Sequence, residues 1–187
     1  MKIGLLFGSF NPLHNGHLAV ARFFAQQTDL DRVWLVVTPQ NPLKDAQGLM
    51  PDQKRLSLVE KVTAQDPLLE CCRVEFDRPA PHYTYDTLHH LKQQEPDHQW
   101  VLLMGADLLG ELPHWKNYTQ LLEEFQIYVY PRPSLKKTEK VIAEHPHVHY
   151  FQAPLMNISA TEIRAKIKQG MSVDQEVPKS ILHELLN

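Results

Sequence analysis

Short apolar runs alternate along the whole chain with stretches of helical spacing, and this alternation restricts the fold more than any other feature. Ile3–Phe7, Val33–Val37, Trp100–Met104 and Gln126–Tyr130 are apolar on both faces and end at Gly or Pro. A strand covered on both sides reads as such an unbroken run. Cys71–Phe76 and Val148–Phe151 are read as two more strands. Between them fall helical stretches from Gly16, from Asp52 as a cap, over Thr84–Gln94, at Leu121–Phe125, over Ser159–Gln169 and over Pro178–Leu186. Strand and helix in turn predict an α/β fold, a doubly wound parallel sheet, in a single domain spanning residues 1–187. Ligands of such sheets bind at the C-terminal ends of the strands, here the loops after Phe7, Val37 and Met104.

Composition narrows the classes of function. The formal net charge of −3 argues against a surface that coats nucleic acid. No apolar segment approaches the ~20 residues that span a bilayer, and Gly8 interrupts the first run before it could act as a signal sequence. The cysteines, Cys71 and Cys72, are adjacent and poor disulfide partners, which fits a reducing, cytoplasmic setting.

Residues 8–17 read GSFNPLHNGH. Gly8 lets a ligand approach the backbone, and Pro12 sets the turn before the helix. A helix start offers unpaired N–H groups and a positive dipole end, which suit an anion. His14 and His17 can address one ligand from the first turn. HxxH could also be half of a zinc site, but no Cys or carboxylate stands at a spacing that completes it, so no metal ligands are predicted. The loop lacks GxxxxGK and is not a Walker A loop.

GSFNPLHNGH resembles the GxFxPxHxGH signature of the nucleotidylyltransferase superfamily, whose HxGH element binds the phosphates of ATP. The resemblance implies a Rossmann-like nucleotidylyltransferase fold and an ATP site at Gly8, Ser9, Phe10, His14 and His17. Far downstream, residues 158–164 read ISATEIR. Ser159 and Glu162 form a capping box with Ser159 as the N-cap. A cation at Arg164, read as part of the first turn, would oppose the dipole, and a bound phosphate would offset it. ISATEIR resembles the ISSTxxR motif that closes the same ATP site, with Ala160 in place of the second serine. The likeness adds Ile158, Ser159, Thr161 and Arg164 to the ATP contacts.

Between these anchors stand TPQNPLK (38–44), HYTYDTL (82–88), MGADLLGELPHWKNY (104–118) and YPRP (130–133). Their order is similar to that of bacterial nicotinate-nucleotide adenylyltransferases, from residue 3 to about 169. The likeness implies that Gly105 and Asp107 contact adenosine and that Trp115 stacks on a pyridine ring. It places Asn41, Thr84 and Tyr85 at the second nucleotide, and Lys44 and Arg132 near the phosphates and that nucleotide. Trp115 could instead be core, and Asp107 could cap a helix. Lys116 stands where relatives often carry an aromatic residue. His145, His147 and His149 alternate; a solvated edge strand is a better reading than a zinc site. His89 and His90 read as surface residues of a helix.

The reaction so implied joins the AMP of ATP to nicotinate mononucleotide, giving deamido-NAD and pyrophosphate in NAD biosynthesis. The attacking phosphate is already anionic, so no general base is required, and no carboxylate dyad or activated nucleophile is evident. His14, His17, Lys44 and Arg164 are the expected catalytic groups, with Mg²⁺ brought by ATP. The expected partners are ATP and the mononucleotide, with neither nucleic acid nor membrane. A phosphopantetheine or nicotinamide-mononucleotide adenylyltransferase, or a non-catalytic nucleotide-binding protein, is the alternative.

Overall fold

The computed structural model describes residues 1–40, 48–132, 138–154 and 157–186. Six parallel strands form one sheet: β1 (Lys2–Gly8), β2 (Arg32–Val37), β3 (Leu69–Cys72), β4 (Gln99–Gly105), β5 (Gln126–Tyr130) and β6 (Val148–Tyr150). Their order across the sheet is β3-β2-β1-β4-β5-β6. The helices are α1 (Asn15–Gln27), α2 (Asp52–Thr63), α3 (Thr84–Gln94), α4 (Ala106–Leu109), α5 (Tyr118–Glu124), α6 (Lys140–Ala143), α7 (Ala160–Lys168) and α8 (Lys179–Leu186). Among the described residues no helix is long and apolar enough to cross a membrane.

Alternation of side chains along each strand divides the core in two. Leu6, Val33, Leu35 and Leu103 face one side and pack with Leu18 and Phe24 of α1, Val59 of α2 and Ile163 of α7. Ile3, Leu5, Leu102 and Met104 face the other and pack with Leu88 and Leu91 of α3 and Leu121 of α5. Burial on both faces explains why the strand runs are apolar throughout. The helix after β1 and the helices after β4 therefore cover opposite faces, and β1 and β4 are neighbours. A crevice opens where two adjacent strands send their connections to opposite faces. Gly8 and Gly105, the last residues of β1 and β4, stand at its floor.

Three local expectations change. The third strand stops at Cys72, and Val74–Asp77 form a 3₁₀ turn. The reason is Glu75, which is 1% exposed and accepts a 2.8 Å hydrogen bond from Thr87 Oγ1, so the chain turns inward instead of extending. Asp52 is the first residue of α2 and Pro51 takes the cap position; the Asp52 carboxylate is held by Arg55. Of the three alternating histidines only His149 lies in β6, which is indeed an edge strand. His147 Nδ1 instead donates to the Leu122 carbonyl at 2.7 Å. Among the described residues no three or more His, Cys, Asp or Glu side chains converge as metal ligands.

Candidate active site

The loop after β1 folds back through Phe10, whose φ of 44° is unusual for a non-glycine residue. Its ring is 2% exposed and meets the His17 ring edge-on, with centroids 5.0 Å apart. Phe10 is thus a support beneath His17, and only its backbone can face a ligand. His14 is the N-cap of α1 and His17 its third residue. The two imidazoles stack at 3.6 Å with 23° between planes. The backbone N–H of His14 donates to His17 Nδ1 at 3.3 Å, so neutral His17 carries its proton on Nε2. A Cβ on Gly16 would lie 3.0 Å from Nδ1 and Cε1 of His14; the missing side chain is the space into which that ring folds.

Burial keeps both rings neutral. His14, 4% exposed, is pushed down to about 4 by desolvation and then by the Arg132 charge. His17 is held well below the ordinary value by desolvation, then by His14 and Arg132. His14 Nδ1 is buried with no hydrogen-bond partner, an orphan in the cleft wall. Neutral imidazoles that carry donors suit a polyanion, because bound phosphate raises their proton affinity just where charge accumulates.

The helix start is narrower as an anion site than the sequence implies. The Asn15 N–H donates to the Glu176 carbonyl at 2.7 Å and the His17 N–H to the His14 carbonyl at 3.0 Å. Of the first three amides only Gly16 lacks a partner among the described residues. His14, Gly16, His17, Tyr130, Arg132 and Ile158 line a narrow cleft of about 20 Å³ at this point. A larger, open groove of about 650 Å³ between α2 and α8 holds none of the expected residues.

Arg132 lies 3.8 Å from Asp107, its Nε facing Oδ2. A Cβ on Gly105 would approach Asp107 Oδ1 to 2.3 Å and Arg132 Cγ to 2.7 Å, so a side chain at this strand end would displace both of these groups. In α7, Ser159 is the N-cap, accepting from the Glu162 N–H at 3.5 Å. Arg164 is the fifth residue of α7 and begins its second turn, so the expected opposition to the dipole does not arise. Its guanidinium donates from Nη1 to the Asn11 carbonyl at 2.7 Å and from Nη2 to Thr161 Oγ1 at 3.2 Å. The second motif thereby braces the first. Asn11 also donates from Nδ2 to the Gly48 carbonyl and accepts from the Met50 N–H.

Of the residues expected at the second nucleotide, Thr84 opens α3 after Tyr83 at its cap. The Tyr85 hydroxyl donates to Glu124 at 2.8 Å and its ring stacks on half-buried His89. Trp115 is half-buried against the core cluster that contains Leu88 and Leu112, so it packs and keeps an open part at once. Asn41 and Lys44 lie outside the described residues.

The cytidylyltransferase-like family model matches residues 5–166. A relative in Flavobacterium johnsoniae bearing the name nicotinate-nucleotide adenylyltransferase is 44% identical over 181 residues, covering 97% of this chain and 94% of its own. The protein of that name in Cytophaga hutchinsonii is 43% identical over 187 residues, covering 100% and 96%. This chain belongs to the nicotinate-nucleotide adenylyltransferase family. The Plasmodium falciparum nicotinic acid mononucleotide adenylyltransferase complexed with NaAD shares its fold, with a TM-score of 0.78 at 17% identity over 99% of this chain and 96% of that one. Membership makes the chain a nucleotidyltransferase, with the parallel α/β sheet of that family.

In this adenylyltransferase one residue of the site region carries no motif. Arg55 is 0% exposed. It donates from Nη1 to the carbonyls of Ser9 (2.6 Å) and Thr38 (2.8 Å), from Nη2 to Pro39 (2.7 Å) and Asp52 Oδ1 (2.5 Å), and from Nε to Met50 (3.2 Å). It ties the loops after β1 and β2 to the start of α2. The signal in the sequence is a charge on the apolar stripe of α2, in step with Val59 and Val62.

Proposed function

We propose that this adenylyltransferase transfers AMP from ATP to nicotinate mononucleotide, using the residues assembled above. The observation that carries this reading is the pair of stacked, neutral histidines beside Arg132 at the β1/β4 crevice, one of them with a buried nitrogen that lacks a partner. Connectivity sends the start of α3 and the Trp115 segment to the same end of the sheet, since each follows a strand's C-terminal end.

A phosphate oxygen of the mononucleotide attacks the α-phosphorus of ATP; the bond to pyrophosphate breaks, and pyrophosphate leaves with the electron pair. The protein holds two polyanions in line and answers the charge that develops between them. The Gly16 N–H and the donors of His14 and His17 face the phosphates, with Arg132 as the nearby cation; Lys44 is assigned to the phosphates by the family resemblance alone. Ser9, Ile158, Ser159 and Thr161 complete the phosphate-side wall, with Arg164 holding the loop at Asn11. Gly105 and Asp107 receive adenosine. The thiols of Cys71 and Cys72 are pushed up to about 12 by burial, and no covalent enzyme intermediate is involved.

Mg²⁺ enters on the triphosphate. Held by phosphate and water, the ion would neutralise phosphate charge. The free thiols and the absence of a membrane-length helix among the described residues agree with a cytoplasmic setting.

Pyrophosphate release from ATP over a panel of acceptors tests the assignment. Backbone N–H groups at Thr84 and near Trp115 would donate to a ring carboxylate but leave an amide NH₂ facing donors, a cost of ~1–3 kcal/mol. The expected result is at least about tenfold higher kcat/KM with nicotinate than with nicotinamide mononucleotide, and none with phosphopantetheine. Equal or better use of the amide overturns the substrate assignment.

A further inference from the structure

We propose that Lys116 is a specificity-determining residue of the acceptor site, where its ammonium cancels the charge of Asp86 so that the ring carboxylate of the acceptor is accepted in preference to an amide. This inference rests on the acceptor reading given above. Lys116 Nζ lies 2.8 Å from Asp86 Oδ2 and 4.9 Å from the centre of the Tyr83 ring. Tyr83 caps α3, Thr84 is its first residue and Asp86 its third. Lys116 directly follows Trp115. One cation thus joins the Trp115 segment to the start of α3, which in the acceptor reading stack the pyridine and receive its substituent.

The two demands on that helix start conflict. An acid in the first turn stabilises the helix, and Asp86 supplies it. The same acid repels a carboxylate arriving at the adjacent N–H groups, while an uncharged carboxamide feels no such repulsion. Left alone, Asp86 would favour the amide. The ammonium at 2.8 Å removes that bias and leaves the positive dipole end to act. An aromatic residue at position 116 could add stacking but could not answer Asp86. Because the pair is partly solvated, its influence is modest and depends on salt.

The experiment measures kcat/KM for both mononucleotides at saturating ATP in wild type, Lys116→Ala, Lys116→Arg, Asp86→Asn and the Lys116→Ala/Asp86→Asn double variant. Lys116→Ala should lose about three- to fivefold in the acid-to-amide ratio, through KM for the acid and with kcat retained. The double variant should recover the ratio, as should Arg, and the loss should shrink in high salt. A merely structural strut would move both acceptors alike and would not be rescued by removing Asp86. A ratio in Lys116→Ala within about 1.5-fold of wild type overturns the inference, as does a double variant no better than the single one. A wild type that favours the acid while these variants fail to behave as stated leaves the function standing and sinks only this inference. A wild type that adenylylates neither mononucleotide sinks both.

Discussion

Arg164 and Asn11, 153 residues apart in sequence, are joined by a 2.7 Å hydrogen bond from the guanidinium Nη1 to the backbone carbonyl. The bond makes the C-terminal motif a brace for the loop that carries His14. Arg164→Ala should therefore raise KM for ATP and also lower stability by ~1–2 kcal/mol, because the Asn11 carbonyl loses a charged donor. Urea unfolding together with ATP titration checks both effects. Unchanged ATP affinity in a variant that is destabilised would make Arg164 purely structural.

His17 presents its Nε2 proton from a ring held between Phe10 and His14. Its interaction with phosphate should strengthen as charge moves to the departing pyrophosphate. His17→Ala is expected to lower kcat by about 10²-fold or more, the usual cost of losing such a donor. ATP binding should fall less. Steady-state kinetics with a near-normal kcat would refute the role.

His14 predicts a pH dependence of defined sign. Its folded value of about 4 lies below the unfolded 6.5, so between these values the unfolded chain holds a proton that the folded chain does not. Its contribution to stability is complete above pH 6.5 and is lost as pH falls toward 4. Denaturant melts of wild type and His14→Asn across that window should show a steeper loss in wild type. Parallel curves would contradict the buried, neutral ring. ATP binding near pH 6 should also take up protons, measurable by calorimetry in two buffers of different ionisation enthalpy.

Arg55→Met should be among the costliest substitutions in the chain. It leaves the buried carbonyl of Thr38 and the partly buried carbonyls of Ser9, Pro39 and Met50 without their donor. Breaking such a buried charged network costs ~3–5 kcal/mol. A loss under about 1 kcal/mol in urea unfolding would show that the loops keep their shape without it.

Gly105→Ala should separate activity from stability. The added methyl meets the Asp107 and Arg132 side chains, which can move aside, so the melting temperature should stay near wild type. Displacing Arg132 from the histidines should lower kcat/KM by about ten- to a hundredfold. A fully active Ala variant would remove the Asp107–Arg132 pair from the site.

The periodicity of the chain determined its strands and most of its helices, because a strand buried on both faces and a helix buried on one leave different local patterns. Thr84–Gln94 and Gln126–Tyr130 are recovered residue for residue for that reason. GSFNPLHNGH and ISATEIR were equally legible, since a glycine strand end, a turn and a capping serine act over a few residues. Tertiary structure alone decided what depends on distant segments meeting. Glu75 ended a strand early because Thr87 stood across from it. The role of Arg164 as a brace could not be read locally because its partner, Asn11, lies at the other end of the chain. Arg55 could not be assigned until the loops after β1 and β2 converged on it, and the neutrality of His14 and His17 follows from burial. Local pattern sets which element a segment forms; desolvation and hydrogen-bond partners belong to the packed whole, and they decide the chemistry of the site.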